Sequence, residues 1–98
     1  MGIYRKKQNS INQDPVRSFV LIPNPAHHQT QLVFNQPPTS NYTIQIINNE
    51  GKVVENRLIN HHLSSLILNT ELLSNGLFTV NVIKTNGEFE SEKLIIIK

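Results

Sequence analysis

The sequence predicts an all-β domain, a seven-stranded antiparallel sandwich, on three observations. Apolar residues recur at every second position in short runs such as Tyr42-Thr43-Ile44-Gln45-Ile46, the period of a strand with one buried face. Such runs follow one another at intervals of roughly 8 to 12 residues, with Gly, Pro or Asn at the joints. No stretch sustains a helical apolar period beyond a single turn. A small barrel is the alternative architecture, and no internal repeat of about 20 to 50 residues is present.

Residues 1–15 are polar, rich in Asn, Gln and Lys, and end on Asp14-Pro15, so they are expected to form a flexible basic lead-in or linker before a domain spanning 16–98. Phe19-Val20-Leu21-Ile22 is the first strand. It stops at Pro23-Asn24-Pro25, where two prolines remove backbone donors and fix φ. Thr30 to Phe34 is the second, with Leu32 and Phe34 on one face, and Gln36-Pro37-Pro38-Thr39-Ser40-Asn41 is a loop by composition. Tyr42 to Ile46 places Tyr42, Ile44 and Ile46 inward. A turn over Asn48 to Lys52 follows, with Gly51 where positive φ is needed.

Val53 to Leu58 reads as an edge strand, because Glu55 and Arg57 share a face with Val53. Leu63 to Leu68 is the fifth strand, with Leu66 and Leu68 inward, and Thr70-Glu71-Leu72-Leu73 has room for one turn across the end of the fold. The last two strands form a hairpin. Phe78, Val80 and Val82 alternate with Thr79, Asn81 and Ile83, Asn86-Gly87 supplies a type I′ turn, and Lys93-Leu94-Ile95-Ile96-Ile97-Lys98 returns. A two-residue loop sets Phe78 opposite Ile95 and leaves Leu94 and Ile96 on the other face. The apolar pattern therefore calls for a bulge that shifts the register by one, for a sheet crossing near Lys93, or for a strand covered on both sides.

Composition narrows the chemistry. The chain has 98 residues and no Cys, so disulfides, thiolate metal sites and thiol nucleophiles are excluded. Its net charge of +2 is unevenly placed: residues 1–17 carry four basic residues against Asp14, a net of +3, and residues 18–98 carry five against six acids, a net of −1. A nucleic-acid binder needs its basic face on the folded part, so nucleic acid is not expected as a partner. No apolar run reaches the ~20 residues of a membrane span, and no apolar core of about 7 to 15 residues follows Arg5-Lys6-Lys7 as a secretory signal requires.

Several constellations invite chemistry. Four imidazoles in His27-His28 and His61-His62 suit Zn or Cu, but neighbouring residues on a strand face opposite ways, so one His of each pair at most joins a common site, and no carboxylate completes it. Ser64 and Ser65 lie near His61 and His62 without a glycine-flanked elbow or an oxyanion hole. Glu88, Glu90 and Glu92 alternate as on a solvated strand face, with apolar residues between them pointing inward. These patterns predict no enzyme, no metal and no cofactor.

Taken together, Phe19-Val20-Leu21-Ile22-Pro23-Asn24-Pro25-Ala26, Tyr42-Thr43-Ile44-Gln45-Ile46, Gly51-Lys52-Val53-Val54, Leu73-Ser74-Asn75-Gly76-Leu77-Phe78-Thr79-Val80 and Lys93-Leu94-Ile95-Ile96-Ile97-Lys98 resemble the type A C-terminal sorting domain of the type IX secretion system, in the family's order over about residues 16 to 98. The resemblance implies a seven-stranded immunoglobulin-like sandwich. It also implies a non-catalytic tag, read by translocon and sortase components, that directs an attached cargo across the outer membrane of Gram-negative bacteria. A sortase-like cysteine peptidase then cuts before the domain, here within Gln8 to Arg17.

The residues expected to carry recognition are Pro23, Asn24, Pro25, Gly51, Val53, Gly76, Phe78, Lys93, Leu94 and Lys98. No cofactor, small-molecule substrate or membrane insertion is implied, and the expected location is the periplasm in transit to the cell surface or medium. Ile22 and Phe78 depart from the family, which often has an aromatic and a Tyr at those places. Lacking an export signal of its own, the chain is expected to be a fragment, an expression product or a short orphan reading frame. The competing reading is a free-standing fibronectin-like or immunoglobulin-like adhesion or ligand-binding module that uses its loops.

Overall fold

The computed structural model describes residues 18–60 and 63–98. The expected lead-in and its boundary at residues 15 and 16, together with His61-His62, lie outside the described residues. Seven strands follow in order: β1 Phe19–Ile22, β2 Gln29–Phe34, β3 Tyr42–Ile47, β4 Val53–Ile59, β5 Ser65–Asn69, β6 Gly76–Lys84 and β7 Phe89–Ile96. They form two antiparallel sheets, three-stranded β1-β2-β5 and four-stranded β4-β3-β6-β7, so the sandwich holds and the barrel does not.

The sheets enclose one core. Phe19, Leu21, Leu32 and Leu68 face Tyr42, Ile44, Ile46, Phe78, Val80, Val82, Leu94 and Ile96, all buried. Tyr42, Ile44 and Ile46, and likewise Phe78, Val80 and Val82, sit on one buried face as their alternation predicts, because burial of the apolar side chain is what selects the face. Phe34 bridges the layers, its ring tilted 56° to that of Phe19 at 6.2 Å and meeting Tyr42 edge to face at 4.9 Å. Two buried threonine hydroxyls are paired with the β1–β2 loop: Thr30 Oγ1 donates to Pro23 O at 2.8 Å and Thr70 Oγ1 to His27 O at 3.4 Å. One turn is closed by Leu73 N–H donating to Thr70 O.

The β6–β7 hairpin corrects the expected type I′ turn. Lys84 N–H donates to Glu88 O at 2.7 Å and Gly87 N–H to Lys84 O at 3.0 Å, so the loop is Thr85-Asn86-Gly87, with Gly87 at φ +93° as a bulge. Asn86 contributes its side chain, which accepts Glu88 N–H at 2.9 Å. The extra residue shifts the register by one: Phe78 lies opposite Leu94, and Val80 opposite Glu92. Leu94 and Ile96 thereby join the core, and β7 stays in its sheet past Lys93. The β3–β4 turn is built alike, with Asn48 N–H donating to Lys52 O, Gly51 N–H to Asn48 O, and Gly51 at φ +85°.

Two further expectations change with register. A bulge between Ile46 and Ile47 sets Glu55 opposite Ile46 and Val53 opposite Ile47, so Val53 does not share a face with Glu55 and Arg57. The shift in β7 also turns Glu90 and Glu92 onto the core-facing side, opposite Val82 and Val80, while Phe89, the apolar residue between Glu88 and Glu90, points outward at 62% exposure. Glu88 and Glu90 are exposed on this edge strand, as a solvated set should be, and Glu92 is half-buried; what the shift overturns is the inward direction expected of the apolar residue between Glu88 and Glu90.

Candidate recognition site

Edge strands present unpaired N–H and C=O groups, and folds have to cover them. In β6–β7 the even-numbered residues of β7 exchange hydrogen bonds with β6, as the Lys84–Glu88 pair shows. The odd-numbered residues, Lys93 and Ile95 among them, therefore turn their main-chain groups to the edge. The β1–β2 loop lies along that edge.

The loop pairs with the edge group by group. Asn24 Nδ2 donates to Lys93 O at 2.7 Å, and Asn24 Oδ1 accepts Ile95 N–H at 3.0 Å. Ala26 continues with its main chain, donating to Ile95 O at 2.8 Å and accepting Ile97 N–H at 2.9 Å in a parallel bridge to Ile96. His27 Nδ1 closes the series on Ile97 O. The flanking prolines have no N–H to offer, so the Asn24 amide stands in for a peptide group. The Ile22–Pro23 and Asn24–Pro25 bonds are cis. Ala26 is fully buried, and its small side chain lets the loop backbone approach β7.

The expected recognition residues largely converge here. Pro23, Asn24 and Pro25 form the docked loop; Lys93 and Leu94 are on the strand it covers; Phe78 lies opposite Leu94, and Gly76 opposite Ile96. Lys98 joins the same end, its N–H donating to Asn75 Oδ1 at 2.9 Å and its Nζ to Glu71 O. Gly51 and Val53 stand apart, at the β3–β4 turn, with β3 and β6 between them and β7. Ala26, His27, Ile95 and Ile97 were not expected in this set. The signal for Ala26 was available, since it is the first residue beyond the two prolines and brings back a main-chain N–H.

The exposed surface of this junction carries Pro23, Pro25, Lys93, Ile95, Ile97 and Lys98. Among the described residues no three His, Asp or Glu side chains converge as metal ligands would. His28 instead lies 3.7 Å from Glu71 in an exposed pair. On the opposite flank, Arg57 ties the other two edges: its Nε is 3.4 Å from Glu55 Oε2 on β4, and its guanidinium donates to Ile67 O on β5 at 3.4 Å.

Comparison with known proteins follows this geometry. A family described as a secretion system C-terminal sorting domain matches residues 20–98 of the chain. No curated protein sequence matches it. Among solved structures the chain is similar to a DUF3244 family protein with an immunoglobulin-like β-sandwich fold from Bacteroides vulgatus ATCC 8482, at 12% identity and a TM-score of 0.67, over 80% of this chain and 83% of that one. At that identity the likeness bears on the fold alone. CopC from Methylosinus trichosporium OB3b is similar at 19% identity and a TM-score of 0.45, over 80% and 90% of the two chains.

Proposed function

The chain belongs to the secretion system C-terminal sorting domain family, and from that premise we propose that it is a non-catalytic sorting signal that carries an attached cargo across the outer membrane by the type IX route. Translocon components read the folded domain, and a sortase-like peptidase then removes it by cutting within residues Gln8 to Arg17. The observation that carries this reading is the family match over residues 20–98.

The junction of the first loop with the last strand supports it. Its residues come from opposite ends of the domain, with Asn24 and Ile95 separated by 71 positions, so the composite surface exists only once the whole sandwich has closed. A machine that grips this surface reads folding and identity together, by shape and hydrogen bonding, with no reaction on the domain itself.

The test fuses the whole chain behind a reporter with its own export signal, in a bacterium that has the system. The reporter is expected at the surface or in the medium. Deleting Lys93–Lys98 removes Leu94 and Ile96 from the core and is expected to hold the reporter in the periplasm. Because that deletion also unfolds the domain, the exposed-surface variant Lys93→Glu accompanies it and is expected to lower delivery severalfold at unchanged thermal stability. Periplasmic retention of the intact fusion, or equal delivery by the deletion, overturns the reading in favour of a free-standing adhesion module.

A further inference from the structure

Two of the strands that end the sheets have their outer main chain engaged: the β1–β2 loop lies along β7, and Arg57 reaches β5 at Ile67 O. β4 also ends its sheet, and among the described residues no hydrogen bond reaches its outer main chain. Which groups it offers follows from the ladder. Lys84 bonds Glu88 on β7, so the odd-numbered residues of β6 turn to β3. Thr43 and Gln45 meet Ile83 and Asn81 there, which leaves Ile44 and Ile46 to bond Arg57 and Glu55 on β4. Asn56 and Leu58 therefore point their N–H and C=O groups away from the sheet. Both side chains are exposed, Leu58 at 69%, and so is Val54 at the bulge, at 38%.

The residues along this edge identify what fits it. Val54-Glu55-Asn56-Arg57-Leu58 is complementary to itself when read antiparallel. A two-fold axis at Asn56 sets Asn56 opposite its own copy, Glu55 opposite Arg57, and Val54 opposite Leu58. Main-chain parity agrees, since even-numbered residues then meet even-numbered ones, and these are the residues whose N–H and C=O groups face outward. Centring the axis on Glu55 or on Arg57 keeps that parity but sets like charges directly opposite, which is destabilising.

We infer that β4 is a pairing edge for a second copy of this chain, joined antiparallel about Asn56 so that the two four-stranded sheets become one. Asn56 N–H donates to the main-chain carbonyl of the partner's Asn56, and the reverse. Leu58 packs on the partner's Val54. On the side facing the other sheet, Glu55 lies opposite the partner's Arg57. Each Glu55 is already 3.4 Å from its own Arg57, so four charges of alternating sign line the seam. β3 and β6 separate this edge from β7, and the pairing leaves the junction with the first loop uncovered. One strand pair falls short of the roughly 1,200 Å² of a stable interface, so the dimer is weak and its population follows concentration.

The test uses the full chain in solution. Sedimentation between about 10 µM and 1 mM is expected to show a monomer–dimer equilibrium. At the upper concentration, amide exchange is expected to slow severalfold at Asn56 and Leu58 and to stay unchanged at Ile95. Glu55→Arg and Arg57→Glu each set like charges opposite one another at both contacts, and each is expected to weaken association about tenfold. Mixed in equal amounts, the two variants set Arg opposite Glu at both contacts and are expected to restore the dimer. Misfolded chains do not rescue one another, so the mixture separates pairing from a folding defect. A chain that stays monomeric at about 1 mM overturns self-pairing and leaves the edge to a strand of another protein. Association that survives both reversals, a mixture no tighter than its components, or protection confined to other strands overturns it in favour of another face.

Discussion

The side chain of Asn24 and the main chain of Ile95 are hydrogen-bonded at 3.0 Å across 71 positions of sequence, and the same amide returns a donor to Lys93 O at 2.7 Å. A single side chain thus occupies the place of a peptide unit on the edge of the last strand. Removing it as Asn24→Ala is expected to cost about 1 kcal/mol, since both partners regain water. Amide exchange separates the two bonds: Ile95 N–H is expected to lose protection in Asn24→Ala and to keep it in Asn24→Asp, which retains the acceptor.

The register of the terminal hairpin has a direct thermodynamic signature. Leu94 is fully buried opposite Phe78, whereas Ile95 is 41% exposed on the outer face. Leu94→Ala is expected to cost roughly 2 to 5 kcal/mol and Ile95→Ala less than about 1.5 kcal/mol, measured by urea unfolding. Reversal of that order would mean that Ile95 is the inward partner of Phe78.

Gly51 and Gly87 do the same work in two hairpins, at φ +85° and +93°, and a Cβ at either meets nothing within 4 Å. The cost of Ala is therefore purely conformational, and about 1 to 2 kcal/mol is expected at each site. Asn, which tolerates this region better, is expected to recover part of it in calorimetric melts.

Tyr42 gives stability an alkaline limit. Burial raises its pKa above the ordinary value of 10.0, so between the two values the folded chain binds a proton that the unfolded chain has released. Stability is then undiminished below about pH 10 and falls above it, by at most ~1.4 kcal/mol per pH unit. In Tyr42→Phe this part of the decline is expected to vanish, so chemical denaturation at pH 9 and pH 11 should show a smaller difference for the variant than for the parent.

The strands were legible in the sequence because each has one face to bury, and period two records that demand in Tyr42, Ile44 and Ile46 as in Phe78, Val80 and Val82. What period cannot record is how many residues a loop consumes. Asn86-Gly87 suits a two-residue and a three-residue loop alike, and the choice between them turned Leu94, Glu90 and Phe89 over together. The Pro23–Pro25 loop was legible as a break in the ladder but not as a cover for β7, since an amide that pairs across 71 positions leaves no periodic trace.

From Ser18 beside Glu90 to Ala26 beside Ile96, the first segment runs along β7 in the same direction, over about 20 Å. Ser18 lies at one pole of this run and Lys98 at the other. A pull between those poles acts along the strands and across the hydrogen bonds of Asn24 and Ala26, so the bonds share the load in shear and must break together. The domain is therefore built to stay closed while its two ends are drawn apart.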